Sequence, residues 1–212
     1  MPEPSPPARR GLFIAFEGGD GAGKSTQLTL LARALSAAGR RVVVTRQPGG
    51  TPLGAQLRDL VLHGGQVSPR AETLLFAADK AQHVHELVRP ALERGEDVLT
   101  DRYTDSSIAY QGVGRDLGPD AVYRVLEWAV DGLFPDLTVV LDVPVNEGRR
   151  RLGAVPDRVE AEPDPFHERV RRHFLDRAEA YPERYLVLDA TLPAEHLNAR
   201  VVQALTSRRW LA

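Results

Sequence analysis

The run Leu12-Phe13-Ile14-Ala15-Phe16-Glu17-Gly18-Gly19-Asp20-Gly21-Ala22-Gly23-Lys24-Ser25-Thr26-Gln27 decides the fold. Its five leading apolar residues, Leu12 to Phe16, read as a short buried strand, and the stretch Ser25 to Ala38, closed by Gly39, reads as a helix. Between them Gly18 to Ser25 fits the pattern G-x-x-x-x-G-K-[ST]. A glycine-rich turn there lets backbone N–H groups converge on phosphate oxygens, and the helix N-terminus adds partial positive charge. Gly18 to Thr26 is therefore the expected ATP-phosphate site, with Lys24 reaching the β and γ phosphates and Ser25 ligating Mg²⁺. A plain strand-to-helix turn would leave the lysine unexplained, and only Lys24 and Lys80 stand among 27 basic residues.

Outward from this loop, apolar runs recur at Val42 to Thr45, Val98 to Thr100, Leu137 to Leu141 and Tyr185 to Leu188. Helical stretches separate them near Leu53 to Leu62, Arg70 to Arg94 with a bend near Pro90, Ser106 to Gln111, and Asp120 to Gly132. Five buried strands alternating with helices imply an α/β fold of the P-loop NTPase type, a parallel sheet with helices on both faces. Pro2, Pro4, Pro6 and Pro7 make the first ten residues an expected disordered tail, leaving 11–212 as one domain. The charged segment from about 149 to 165 has little apolar content and reads as a solvated loop or a mobile lid.

With 42% hydrophobic and 26% charged residues the chain can bury a full core, which excludes disorder. Its 27 Lys plus Arg against 29 Asp plus Glu give a formal net charge of −2, so no global basic field points to nucleic acid or an acidic membrane. Any anion must be bound locally. The absence of cysteine removes disulfides, thiolate zinc sites and thiol nucleophiles. No apolar run approaches the roughly 20 residues of a bilayer span, and Met1 to Arg10 has no apolar signal core, so a cytoplasmic protein is expected.

A Mg²⁺ nucleotide site needs a carboxylate at a neighbouring strand end. Asp101 and Asp142 both end apolar runs, and Asp101 is favoured because Arg102 follows it; Asp142 would then orient the phosphate loop. A phosphate acceptor is already ionised at pH 7 and needs cations to suppress repulsion. Arg46, Arg58 and Arg102, with Arg149, Arg150, Arg151 and Arg158 in the charged segment, supply them. Successive arginines on a helix point about 100° apart, so the three from 149 to 151 cannot face one phosphate together. Phe76 and Lys80 lie four apart, as do Ser107 and Gln111 with Tyr110 on the same turn, which gives a ring, a cation and hydrogen-bonding groups suited to a flat base. His83 and His85 have no third partner at metal-ligand spacing.

Phe16 to Gln27, the run Thr45-Arg46-Gln47-Pro48-Gly49-Gly50-Thr51, and Asp101-Arg102-Tyr103 with Ser106 to Gly112 together resemble the thymidylate kinase family, from Leu12 to about Leu205. The resemblance implies a nucleoside monophosphate kinase fold with a lid, transfer of the ATP γ-phosphoryl to dTMP, and a homodimer. It implies that Arg46 and Arg102, with Arg58 as a further candidate, hold the acceptor phosphate, and that Phe76 stacks on thymine. Ser107 and Gln111 would lie at the polar edge of the base, Tyr110 under the deoxyribose against a 2′-hydroxyl, and Asp20 near the acceptor sugar and phosphate. Gly21 stands where some members carry a P-loop arginine, so a lid arginine would supply the transition-state charge.

Two positions depart from the family. Gln47 stands where a glutamate is usual, and Lys80 where an arginine contacts the thymine edge; a lysine lacks the planar fork. Two other readings are another deoxynucleoside or nucleoside monophosphate kinase and a P-loop nucleotide switch. Against the switch, no Asn-Lys-x-Asp guanine motif occurs in the chain.

Overall fold

The structure, a computed structural model, describes residues 10–152 and 157–211. The expected tail up to residue 9 and residues 153–156 of the expected lid lie outside the described residues. Arg10, the last residue of that tail, pairs with Asp136 at 2.5 Å.

Among the described residues β1 (Phe13–Glu17), β2 (Val42–Arg46), β3 (Asp97–Asp101), β4 (Leu137–Asp142) and β5 (Tyr185–Asp189) form one sheet in the order β2-β3-β1-β4-β5. Every pairing is parallel. The continuous apolar run of β1 follows from its central place. Ile14 and Phe16 pack on one face with Leu28, Leu31 and Leu35 of α1 (Lys24–Ala37) and Leu197, Val201 and Leu205 of α9 (Ala194–Ser207). Phe13 and Ala15 pack on the other, with Val84, Val88 and Leu92. Helices α2 (Pro52–His63), α3 (Pro69–His83), α4 (Arg89–Glu93), α5 (Thr104–Ser107), α6 (Pro119–Ala129), α7 (Val145–Leu152) and α8 (Asp164–Ala180) complete the layers. None of these helices is long and apolar enough to cross a membrane.

Register brings the site together. Phe16 and Arg46 both lie beside Asp101, so the carboxyl ends of β1, β2 and β3 are level and their following residues share one crevice.

The structure departs from the sequence expectation or refines it in three places. β2 and β5 are edge strands, so Val44 and Val187 are exposed although both lie in apolar runs. The break expected near Pro90 takes the form of a π turn at Val84–Val88, in which Arg89 N–H donates to the Val84 carbonyl. Pro90 has no N–H to give and its ring crowds the preceding turn; the wider turn absorbs both. The helix expected at Ser106 to Gln111 begins at Thr104, and its second half, Ile108–Gly114, is also π-helical.

Asp97 ties the layers at their amino-terminal edge. Its buried carboxylate accepts from Leu12 N–H at 2.8 Å and from Arg40 at 2.5 and 2.6 Å, while Arg40 also donates to the Trp210 carbonyl at 2.8 Å. Asp97→Ala would leave a guanidinium and a strand N–H without their partner, a loss of about 3 kcal/mol. Urea unfolding should show a lower midpoint with an unchanged slope, and a loss below about 1 kcal/mol would contradict the assignment.

Candidate active site

The phosphate loop is wedged between β4 and α7. Gly18 has φ +126°, and a Cβ there would lie 2.3 Å from the Leu141 carbonyl oxygen; Gly21 has φ +74°, and a Cβ there would lie 2.2 Å from that of Gly148 in α7. Neither position admits a side chain. α1 starts directly from the loop with no side-chain cap and no acidic residue in its first turn, which leaves its N–H groups for an anion. Lys24 Nζ folds over the loop and donates to the Gly18 and Gly19 carbonyls at 3.2 and 2.9 Å. Burial, then nearby Arg102, lowers its pKa, while Asp101, Asp20 and Glu17 work in the other direction. Ser25 Oγ donates to Asp101 Oδ2 at 3.3 Å, so the hydroxyl and carboxylate expected at a metal face each other.

Arg102 joins this loop to the next cavity. Its φ of +64° is the left-handed conformation that a non-glycine residue adopts only when its surroundings impose it. Here the Arg102 N–H donates to the Phe16 carbonyl at 2.9 Å, and the Arg102 carbonyl accepts from Thr100 Oγ1 at 2.9 Å. Fully buried Glu17 holds the next turn, accepting from Tyr103 N–H at 2.8 Å, Ser106 N–H at 3.1 Å and Ser106 Oγ at 2.5 Å. Burial and then Asp105 raise the Glu17 pKa against these hydrogen bonds. The Arg102 guanidinium is thereby aimed back, donating to Gly18 O at 3.1 Å, Ser106 Oγ at 2.9 Å, Tyr110 Oη at 3.3 Å and the Asp20 carboxylate.

Two cavities open from this junction. One is lined by Phe76, Lys80, Ser107, Tyr110 and Gln111, with Leu62 and Val159 as apolar walls. Lys80 Nζ donates to Ser107 Oγ at 2.9 Å and lies 5.6 Å from the Phe76 ring centroid; burial pushes its pKa down to about 8. The π turn brings Ser107, Tyr110 and Gln111 to the same wall despite the change of helical pitch. The second cavity is lined by Gly21, Gly23, Lys24, Ser25, Thr26, Arg46, Asp101 and Arg151. Asp20, Gln47, Arg58 and Arg102 line both.

The four arginines of the charged segment have separate fates. Arg151 faces the phosphate-loop cavity while donating to Glu147 at 2.8 Å and to the Ala190 carbonyl at 2.9 Å. Arg150, its side chain 74% exposed, pairs with Glu147. Arg149 donates to the Glu162 carbonyl at 2.6 Å and pairs with Asp164 at 3.0 Å. Arg158 lines neither cavity; it is engaged by Glu72 at 2.5 Å and by the Val61 carbonyl at 3.0 Å. Asp142 is paired with Arg171 at 2.6 Å rather than orienting the phosphate loop.

Sequence reasoning missed three buried polar residues around the site. Glu17 had one signal, an acid closing an otherwise apolar strand. His83 bridges Thr45 Oγ1 at 2.8 Å and Gln47 Nε2 at 2.6 Å; burial and then Lys80 push its pKa down to about 4, so the ring is neutral at pH 7. Glu72, wholly buried on α3, is the third. Among the described residues no cluster of three or more His, Cys, Asp or Glu could hold a metal by itself.

Burial opposes ionisation of Asp20, but Arg102, Lys24 and the hydrogen bonds from Arg102 and Tyr110 outweigh it and hold the carboxyl down at about 2. The folded pKa lies below the ordinary value of about 3.9, so this contribution is complete above roughly pH 5 and is lost as pH falls through about 2. Asp20→Asn should cost about 2 kcal/mol at pH 7, with the gap to the parent closing between pH 4 and 2 in urea titrations. A gap independent of pH would contradict the ion pair's role.

The sequence profile described as Thymidylate kinase matches residues 16–201. The chain is 55% identical over 207 residues to the thymidylate kinase of Leifsonia xyli subsp. xyli (strain CTCB07), which covers 96% of this chain and 98% of that one. It is 52% identical over 198 residues to that of Cutibacterium acnes (strain DSM 16379 / KPA171202), covering 92% and 97% of the two chains. With the thymidylate kinase of Deinococcus radiodurans the identity is 50% over 202 residues, covering 94% and 98%. On this agreement of profile, relatives and fold, the chain belongs to the thymidylate kinase family.

Proposed function

We propose that the chain phosphorylates dTMP to dTDP with ATP as donor and Mg²⁺ as metal. The observation that carries this is the shared wall: Asp20, Gln47, Arg58 and Arg102 border both the phosphate-loop cavity and the apolar, hydrogen-bonding cavity. A phosphoryl group moving from one to the other would pass along these four side chains. The acceptor phosphate, a dianion, would meet Arg58 and Arg102 on the shared wall and Arg46 on its phosphate-loop side, which offset its repulsion for the donor. No base is needed to deprotonate it, and Gln47 is none.

In the acceptor cavity Phe76 offers a ring to stack on thymine, Lys80 donates toward the 4-oxo group, and Ser107 and Gln111 complete the polar edge. Tyr110, held by Arg102 and Asp20, is the ring assigned beneath the sugar, where it would disfavour a 2′-hydroxyl. Ser25 and Asp101 are hard oxygen donors 3.3 Å apart beside the loop, a set that fits Mg²⁺ with phosphate and water as its other ligands. The metal, when bound, supplies charge neutralisation on the β and γ oxygens. Lys24 stabilises the same charge from the protein side. Of the lid arginines, the placement of Arg151 favours it for the transferring group. The reading includes one domain closed by a lid and a homodimer acting in the cytoplasm. Trp128 on α6 and Leu74 on α3, 84% and 60% exposed on helices that pack together, support a partner surface.

Steady-state assays with ATP and dTMP, dUMP, dCMP, dAMP or thymidine test this directly. dTMP should give the highest kcat/KM; preference for thymidine would favour a nucleoside kinase, and tight GTP binding without transfer a switch. Arg151→Ala should lower kcat on the order of 10²-fold, with a much smaller loss in Arg150→Ala. Equal losses would refute the choice of Arg151. Lys80→Ala should raise KM for dTMP about tenfold and leave that for ATP unchanged. An unchanged dTMP value would place Lys80 outside the base site.

A further inference from the structure

Glu72 has no exposed surface, yet its carboxylate receives groups from two directions. From the cavity wall, Gln111 Nε2 donates to Oε1 at 2.9 Å. From the segment between α7 and α8, Arg158 donates to Oε2 at 2.5 Å. Arg115, just past the π turn, adds contacts at 3.3 and 3.5 Å and itself pairs with Glu162 of that same segment. Within it residues 158–161 form a turn, and the Asp157 carboxylate accepts from the N–H groups of Val159 and Glu160 at 2.8 and 2.9 Å. Val159 is buried against the acceptor cavity.

We propose that Glu72 is a positioning residue that sets base selectivity and couples it to closure of the 157–162 turn over the acceptor. This rests on the dTMP reading above. A carboxylate facing two guanidiniums only accepts, so it fixes which end of the Gln111 amide it meets: the NH₂ turns to Glu72, and the oxygen is left as the amide's acceptor for the cavity. Thymine presents a 4-oxo acceptor and an N3–H donor, which match a lysine donor and an amide oxygen. Cytosine presents the reverse pattern, a 4-amino donor and an N3 acceptor, and is mismatched at both positions. An amide free to rotate would offer its NH₂ to cytosine N3 and lose half of that discrimination. The same carboxylate holds Arg158, so the turn that seals the cavity and the group that reads the base share one anchor. Arg158 then acts through Glu72 and not on the transferring phosphoryl.

The test compares kcat/KM for dTMP and dCMP, with KM for ATP, in the parent, Glu72→Gln, Arg158→Ala and the double variant. Glu72→Gln keeps the shape but offers Gln111 either a donor or an acceptor. We expect its dTMP-over-dCMP preference to fall about tenfold, with KM for dTMP raised and KM for ATP unmoved. Arg158→Ala should raise KM for dTMP in the parent and add nothing in the Glu72→Gln background. A merely structural Glu72 would lower stability and leave the base preference intact, which would overturn the proposal. Additive effects in the double variant, or an Arg158→Ala loss confined to kcat, would also overturn it. Should Glu72→Gln fail to fold, Gln111→Leu carries the test: with the amide oxygen removed nothing accepts from thymine N3–H, so the dTMP-over-dCMP preference should fall about tenfold, and a retained preference refutes the amide reading. Failure of the parent to use dTMP would sink the functional reading itself, a result distinct from all of these.

Discussion

A wholly buried carboxylate at the end of the central strand holds this site together. Glu17 closes β1 and receives the N–H groups of Tyr103 and Ser106 and the Ser106 hydroxyl, so the turn after β3 is bolted to the strand that feeds the phosphate loop. That bolt lets Arg102 sit at φ +64°, a conformation costing on the order of 1 kcal/mol or more when nothing enforces it. Once enforced, it turns the guanidinium back across Gly18 and Asp20. The two cavities then share Arg58 and Arg102 on a wall that neither β1 nor β3 could build alone.

The arrangement trades stability for preorganisation. Lys24, Arg102, Asp20, Glu17, Glu72 and Lys80 are ionisable groups in or near the interior, and apolar replacements of like volume would often stabilise such a region. Each is instead held by directed partners. A site whose dipoles already point at the moving charge needs little reorganisation when the phosphoryl group transfers. Gln47 illustrates the same economy: its amide is fixed by a neutral His83, itself fixed by Thr45, so a neutral group is oriented where the family usually carries a charge.

Much of this was legible in the sequence because it rests on local pattern. Apolar runs marked all five strands, and the glycine spacing before Lys24 and Ser25 marked the loop. The pairs Phe76 with Lys80 and Ser107 with Gln111 marked residues that line one cavity. Exposure of Val44 and Val187 was not legible, since strand order is a property of the whole sheet. Neither were the π turns, which arise from fitting Pro90 and the Ile108–Gly114 wall into a packed structure. Hubs such as Glu17 and Glu72 escaped because their partners lie 86 and 39 or more residues away, where no spacing rule reaches. For the same reason no local pattern separates Arg158, held by Glu72, from Arg151, which faces the phosphate-loop cavity.

The central claim is that donor and acceptor meet across one shared wall, so that the phosphoryl group moves once, directly, between them. The stereochemical course at phosphorus tests this. ATP made chiral at the γ phosphorus with oxygen isotopes and sulfur should transfer its thiophosphoryl group to dTMP with inversion of configuration, as a single in-line displacement requires. Net retention would mean two successive transfers through a protein-bound intermediate, and would contradict the shared-wall account.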